Sequence, residues 1–336
     1  MKIRSVIMPM FRVGLMSLIL MMGLSCSTVF TNQEDCPRGI ALRFIYDYNM
    51  EYANAFTSKV HCVSVYVFDE AGNHVTTVGE VSDILRQESY RMPLVLDPGN
   101  YTLLVYGGLA CPERSFDITD YGTKASGHRL DEMQVELNHD DFVSDKNLHS
   151  LFYGSAELEI SHEDEFIEKD VYLMKNTNNI RLVLQQANGK SLEADDFVFR
   201  ITDDNSLMDK ENAVVPNGLV TYKPWATGET VVGAAEDGET PISVAFAELS
   251  TSRLTTGTSP KLTVQNAETG EYIINIPLNQ YLLLLKSELY SEMGAQEFLD
   301  RESEWSLIFF LDDGLRWINT RIVINDWVVR INHTEM

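Results

Sequence analysis

The side chains that could do chemistry here are four cysteines, seven histidines and fifty acidic residues, and their spacing gives little support to catalysis. The sequence has no Gly-x-Ser-x-Gly, His-Glu-x-x-His or Gly-x-x-x-x-Gly-Lys pattern. His162-Glu163 comes closest to the zinc-protease pattern, but residue 166 is Phe166, so the second metal-binding histidine is missing. We therefore predict a protein that is not an enzyme.

Metal binding is also disfavoured by the residue pattern. An acidic cluster could offer oxygen ligands to Ca²⁺, and it consists of Asp203, Asp204, Asn205, Asp209 and Glu211. It lacks the central glycine of an EF-hand loop, so a solvated acidic loop is the preferred interpretation. The cysteines are scattered and have no close pair or His-x-x-x-His beside them, which disfavours zinc. We predict no metal site and no cofactor.

Cys26 is the cysteine with the clearest assigned chemistry. A basic start is followed by the apolar run Val13 to Leu24, which is shorter than the roughly 20 residues that span a bilayer. The run ends in Gly23-Leu24-Ser25-Cys26, which resembles the lipobox of bacterial lipoproteins, although Gly23 replaces the usual leucine. We predict a signal peptide at residues 1–25 and a lipid on Cys26. The alternative is an ordinary signal peptide and an incidental thiol.

Net charge restricts the possible partners. Removing residues 1–25 takes away three basic side chains and no acid, so the net charge of −24 becomes −27. Such a chain repels phosphate backbones, which argues against nucleic-acid binding. It also repels anionic lipid head groups, so membrane attachment would come from the lipid and not from a basic patch.

Three cysteines remain after Cys26, so at least one of them has no partner within the chain. Cys36 precedes a predicted strand and Cys111 follows one. If these strands are antiparallel neighbours, the two cysteines meet at one end of a sheet. We therefore favour a Cys36–Cys111 disulfide over either pairing with Cys62, which we expect to pack as a small hydrophobic residue.

The elements that carry these residues are mostly predicted strands. Val63, Val65 and Val67 alternate with Ser64, Tyr66 and Phe68, which places the valines on one face. Further short strands are separated by turn sequences, and no strand is followed by a clear long helix. The strands are predicted at 40–46, 63–68, 74–78, 101–106, 167–174, 197–201, 219–222, 242–249, 262–264, 272–276, 307–311 and 317–329.

This pattern predicts an all-β, mainly antiparallel fold. Asn176-Thr177-Asn178-Asn179 reads as a polar boundary before a strand that begins at Ile180, and 278–290 is the best helix candidate. We predict a tether at residues 26–38, an N-terminal β-sandwich domain at 39–175 and a C-terminal β-sandwich domain at 176–336.

The C-terminal segment has apolar residues on both strand faces, which is typical of burial on both sides. Residues 322–327 are interpreted mostly as core. Strand addition to a second subunit would then involve Val328, Val329 and Ile331, or an open edge elsewhere.

Aromatic residues leave a second hypothesis open. Trp305, Trp317 and Trp327 lie among large apolar residues and are expected in the core. Trp225 lies in a predicted loop and could be exposed, so a surface glycan-binding lipoprotein is the alternative function. Exposed coplanar aromatic side chains would favour that alternative.

Six segments in order along the mature chain carry a resemblance to a known family. They are Cys26 with Cys36-Pro37 and 42–46, Val63 to Asp69 with Gly72, Leu96 to Tyr101 with Gly107-Gly108-Leu109, Leu173 to Asn178, Gln296 to Glu302 with Trp305 to Phe310, and Ile324 to Trp327. Together they resemble the fimbrial anchor subunits of type V pili, the minor fimbrillin lipoproteins.

The resemblance implies two transthyretin-like β-sandwich domains with one or two short helices. It also implies a non-enzymatic anchor or accessory subunit that binds pilus shaft subunits. Such a protein would sit on the cell surface in the fimbrium, held in the outer membrane by its N-terminal lipid.

Overall fold

A computed structural model describes residues 39–119, 129–162, 165–234, 241–324 and 327–331, and strands dominate it. The strands are β1 (Gly39–Ile45), β2 (Val63–Asp69), β3 (His74–Glu80), β4 (Met92–Leu94), β5 (Gly99–Gly107), β6 (Phe116–Ile118), β7 (Gln134–Leu137), β8 (Val143–Ser144), β9 (Phe152–Ile160), β10 (Phe166–Tyr172), β11 (Met174–Lys175), β12 (Thr177–Gln186), β13 (Phe197–Asp203), β14 (Leu207–Asp209), β15 (Val214–Val215), β16 (Val220–Tyr222), β17 (Ala226–Ala234), β18 (Pro241–Ser252), β19 (Lys261–Asn266), β20 (Tyr272–Pro277), β21 (Glu304–Leu311), β22 (Trp317–Ile324) and β23 (Trp327–Ile331). The α-helices are α1 (Phe56–Lys59), α2 (Leu278–Leu283) and α3 (Ala295–Arg301). The 3₁₀ turns are Asp83–Arg86, Leu130–Glu132, Ala194–Asp196 and Glu288–Tyr290.

Two sheets enclose the first hydrophobic core. The first sheet has the order β10-β1-β4 and the second has the order β11-β9-β5-β2-β3. Val63, Val65 and Val67 are fully buried in the core between them, as their alternation predicts. The intervening Phe68 points to the opposite face and joins a second core. The second sheet is therefore covered on both faces.

The third sheet, β15-β14-β7-β6, joins the two halves of the sequence. Its β7 pairs with β14 so that Val135 lies opposite Met208. In addition, β8 pairs with β16, which places Ser144 opposite Tyr222. Backbone ladders thus connect the two predicted domains, 39–175 and 176–336, and residues 39–336 cluster as one compact unit. The division into two domains stays a prediction.

The fourth sheet, β20-β19-β13-β16-β8, and the fifth sheet, β17-β18-β12-β21-β22-β23, share the second core. The fifth sheet is built around β12, which pairs with β18 antiparallel and with β21 parallel. Ile180, Leu182 and Leu184 of β12 are all fully buried. The alternating apolar residues of β12 therefore mark the face of the fifth sheet that packs against the second core.

The predicted all-β, mainly antiparallel fold is confirmed. Among the described strands, the parallel pairings are β1 with β10, β12 with β21 and β16 with β8. Two local predictions are wrong. The strand predicted to begin at Ile180 starts three residues earlier, because β12 begins at Thr177. The helix predicted at 278–290 ends at Leu283, and the chain then turns so that Leu285 is buried while Leu284 is exposed.

The predicted Cys36–Cys111 disulfide is wrong, because Cys111 is bonded to Cys62 with a Cα–Cα distance of 5.4 Å. β1 does not lie beside β5, since the two strands belong to different sheets. Cys62 instead lies directly before β2, which is the antiparallel neighbour of β5. Two cysteines do meet at one end of a sheet, but the partner of Cys111 precedes β2 and not β1. Cys36 lies outside the described residues.

We predict that replacing both Cys62 and Cys111 with serine lowers the free energy of unfolding by about 2–4 kcal/mol, because the bond closes a long loop in the unfolded chain. Urea unfolding of the wild type and the double variant would measure the difference. The matched control is reductant, which should destabilise the wild type and leave the double variant unchanged. A double variant as stable as the wild type would contradict the prediction.

Candidate assembly site

The C-terminal strand β23 forms one edge of the fifth sheet. Val328, Val329 and Ile331 all lie in it, and Val328 is paired with Val323 of β22. β22 is the only described strand with which β23 forms a ladder, so its other edge has no partner among the described residues. The structure thus places the three predicted assembly residues on a sheet edge. Their part in strand exchange stays a prediction.

The segment before this edge is a hairpin and not one long strand. The sequence predicted a single strand at 317–329, whereas β22 ends at Ile324 and β23 begins at Trp327. The last two strands of the sheet are therefore antiparallel neighbours, and the terminal strand lies outermost.

The opposite edge of the fifth sheet is β17, a strand that the sequence analysis missed. Val231 and Val232 of β17 are exposed, and a β-bulge interrupts its pairing with β18 between Val231 and Gly233. Two exposed valines and an alternating Thr/Gly/Glu start give this strand a weak apolar pattern, which explains why it was missed. Bulges of this kind discourage edge-to-edge pairing in natural sheets.

A buried polar junction links five separated segments of the chain: residues 176–178, 212, 253, 296–300 and 305. Its centre is a reciprocal amide pair, in which Asn176 donates to the side-chain oxygen of Asn212 at 2.6 Å and Asn212 donates back at 3.0 Å. Both residues are buried. Two residues further along, Asn178 accepts a hydrogen bond from the indole N–H of Trp305 at 3.1 Å. The asparagine-rich segment therefore anchors the start of β12.

An ion pair completes this polar junction. Arg253 donates from Nε and Nη2 to the two carboxylate oxygens of Asp300, at 2.8 and 2.9 Å. The same guanidinium donates to the backbone carbonyl of Asn212, and Gln296 donates to Asp300 at 3.0 Å. The side chains of Arg253 and Asp300 are only 14% and 5% exposed. Bidentate geometry and extra hydrogen bonds offset the cost of desolvating the two charges.

Helix α3 also fixes the loop that follows β1. The guanidinium carbon of Arg301 lies 4.1 Å from the ring centre of Tyr48 and 4.4 Å from that of Tyr52. Nη1 of Arg301 donates to the backbone carbonyl of Asn49 at 3.2 Å. Two of the segments that carried the family resemblance, Leu173 to Asn178 and Gln296 to Glu302, thus meet at this junction.

The acidic cluster considered for calcium is organised by protein donors. Burial raises the pKa of Asp203 to about 6, so its charge is disfavoured. Asp209 accepts two backbone N–H bonds from the turn that follows it, and Asp204 accepts two from residues 217 and 218, just before β16. Asn205 accepts a 2.6 Å bond from the hydroxyl of a buried tyrosine, and Glu211 is exposed beside a lysine. The cluster is therefore not the solvated loop that the sequence predicted, because Asp203 and Asn205 are buried and Asp209 ends β14.

The described residues contain no group of three His, Cys, Asp or Glu side chains placed to hold a metal ion. Across the same ranges, no helix is long and apolar enough to cross a membrane. Cys26 lies outside the described residues. The predicted absence of catalysis, metal and cofactor therefore stays a prediction.

The tryptophans give little support to a glycan platform. Trp305 is buried, Trp317 is partly buried, and Trp225 is 40% exposed at the start of β17. A cleft of about 650 Å³ lies between residues 112–117 and 138–149, and its lining has no tryptophan or tyrosine. The side chain of Trp327 lies outside the description.

The fold and its sites define an all-β protein with open sheet edges and a buried polar junction among its described residues. The sequence model of the family of fimbrillin-A associated anchor proteins Mfa1 and Mfa2 matches residues 33–333. The chain belongs to this family. The family resemblance read from the sequence is therefore confirmed, and the protein is associated with fimbriae at the cell surface.

Solved structures agree with this assignment. A candidate adhesin of Bacteroides thetaiotaomicron is 52% identical, with a TM-score of 0.81 over 88% of this chain and 99% of the other. A candidate polysaccharide-binding protein of the same organism is 26% identical, with a TM-score of 0.74 over 88% and 99% of the two chains. The fimbrial anchor protein Mfa2 of Porphyromonas gingivalis is 17% identical, with a TM-score of 0.62 over 88% and 99%, and shows the shared fold. A search of curated proteins found no match.

We predict that Arg253→Met lowers the free energy of unfolding by about 3–5 kcal/mol, because Asp300 would remain buried without its cation. Chemical denaturation would measure this loss. The matched control is Arg43→Met, which removes the more exposed ion pair with Asp170 and should lower the free energy of unfolding far less. Equal losses in the two variants would contradict a special role for the buried pair.

Proposed function

We propose that this protein is a non-enzymatic anchor or accessory subunit of a type V pilus. Its mature chain would be held in the outer membrane by a lipid on Cys26 and would join the pilus shaft by β-strand pairing. The observation that carries this proposal is the terminal strand β23, which lies at a sheet edge in a chain that belongs to the fimbrial anchor family.

Strand pairing fits the terminal edge better than charge attraction does. Main-chain ladders give affinity, and alternating side chains set the register. The strongly acidic chain has little to attract an acidic partner at long range. A contact made of backbone ladders and buried side chains is hardly screened by salt.

The lipid tether has a direct test. Cys26→Ala should release the protein from the membrane fraction, because no acyl chain can then be attached. Fractionation and mass spectrometry of the N-terminal peptide would measure the change. Cys36→Ser is the matched control and should remain in the membrane fraction. A Cys26→Ala protein that stays membrane-bound, together with unmodified Cys26 in the wild type, would refute the tether.

Strand pairing can be tested by capturing shaft subunits with the full-length protein and with a variant that lacks residues 328–336. We expect the full-length complex to survive high ionic strength and the deletion to weaken capture. The deletion should leave the Cys62–Cys111 disulfide and the first core intact, which proteolysis and mass mapping can check.

The alternative outcomes are informative. Loss of the full-length complex at high salt would indicate a charge-driven contact. Unchanged capture by the truncated protein would move the contact to another edge, for which β17 is the first choice. Failure to capture any pilus subunit would favour the glycan-binding alternative, which the candidate polysaccharide-binding relative keeps open.

A further inference from the structure

The end of the first sheet at which the N-terminal segment enters the fold carries two exposed apolar side chains. Gly39 begins β1, the middle strand of the sheet, and is the ladder partner of Phe166 on one side. On the other side, Ile40 pairs with Leu94, so Val95 follows at the level of Gly39. Val95 is 88% exposed and Phe166 is 46% exposed.

These two residues form a patch centred on the entry point. Neighbouring strands lie 4.7–4.9 Å apart, so β10 and β4 are separated by about 10 Å across β1. Gly39 lies between them without a side chain, and its φ of +91° is one that glycine adopts readily. The apolar rim defined by Val95 and Phe166 therefore flanks Gly39, the residue that follows the predicted tether.

Hydrogen bonds hold this rim in place. The backbone N–H of Gly39 donates to the carbonyl of Glu165 at 2.9 Å. The carboxylate of Glu165 accepts from the backbone N–H of Ser161 at 3.0 Å, and the hydroxyl of Tyr101 donates to the carbonyl of Asp97 at 3.0 Å. Both loops that present the apolar residues are thus tied to the ends of strands, so the patch is preformed.

We propose that this apolar rim rests on the lipid surface to which the protein is tethered, with Val95 and Phe166 entering the head-group region. The inference rests on the proposed lipid at Cys26. The thirteen residues of the tether, 26–38, could reach about 45 Å when extended, so the tether alone does not decide whether the fold lies on the membrane. The position of the rim supplies the reason for close contact.

Two apolar side chains bind a membrane only weakly by themselves, but the tether lowers the affinity that the patch must supply. Attachment of the lipid makes the second contact intramolecular, so a small patch suffices when it faces the surface. Single exposed apolar residues elsewhere are ordinary. The rim differs from them because both of its residues flank the point at which the tether enters.

Charge selects the kind of lipid surface. Asp97 and Glu165 are exposed at the same end of the sheet. Their carboxylates are repelled by anionic head groups, so the favoured surface is a zwitterionic bilayer. An apolar contact with such a surface should also be insensitive to salt.

The test uses the mature chain, residues 26–336, with an N-terminal hexahistidine tag bound to nickel-chelating lipid in phosphatidylcholine vesicles. Cys26→Ser and Cys36→Ser remove the other thiols, while the Cys62–Cys111 disulfide is kept. An environment-sensitive fluorophore is attached to Val95→Cys, and the matched control carries it on Val231→Cys, an exposed valine of β17. The nickel lipid replaces the natural anchor, so the result does not depend on whether Cys26 is lipidated in cells.

We expect a blue shift and quenching by brominated lipid at position 95 when the protein is on the vesicle, and neither change at position 231. Adding Phe166→Ser should reduce the shift at position 95, and replacing part of the phosphatidylcholine with an anionic lipid should also reduce it. Emission at position 95 that equals its value in solution would overturn the proposal. Insensitivity to Phe166→Ser, or a larger shift on anionic vesicles, would overturn it as well.

Discussion

The arrangement of the second core depends on one buried ion pair, Arg253–Asp300, and on the amide pair that lies against it. A buried charge without a partner is costly, so the two sides of this junction cannot separate without a large loss of stability. Arg253 directly follows β18, Asp300 lies in α3, and Asn212 belongs to the turn after β14. These groups satisfy one another only when the strand, helix and turn are all in register. We infer that the junction selects one arrangement of the sheets, while the apolar side chains supply most of the burial.

The shared third sheet has a related consequence. Because β7 pairs with β14 and β8 pairs with β16, hydrogen bonds continue from one half of the chain into the other. A pull applied at β23 would pass through β22 and β21 to the central strand β12, which begins at the polar junction. In the proposed anchor role, a load from the shaft would therefore meet ladders and a buried ion pair before it reached the tethered end. Flexible linkers would transmit such a load less directly.

Much of the fold was readable from the sequence because alternation is a local property. The valines of β2 identified a strand and both of its faces, and turn residues marked most of its neighbours. Which strands pair with each other is not a local property, and the sequence analysis failed to predict it. It placed Cys36 beside Cys111, because nothing in the chain shows that β1 pairs with β10 and β4. It started β12 at Ile180 and not at Thr177, because a buried asparagine is recognised only when its partners, Asn212 and Trp305, are known. The bulged edge strand β17 was missed because its apolar pattern is weak.

The sheet edges suggest how a β-rich chain of this kind avoids unwanted association while keeping one contact available. β4 is three residues long and contains Pro93, which cannot donate to a ladder. β17 carries a bulge that disturbs the regular spacing of its backbone groups. A high negative charge also keeps copies of the same chain apart at long range. The terminal strand β23 pairs with β22 without a bulge and contains no proline. A partner strand would therefore find fewer obstacles at β23 than at β4 or β17. This difference, and not the general acidity of the surface, is the reason why we propose the C-terminal edge as the place of assembly.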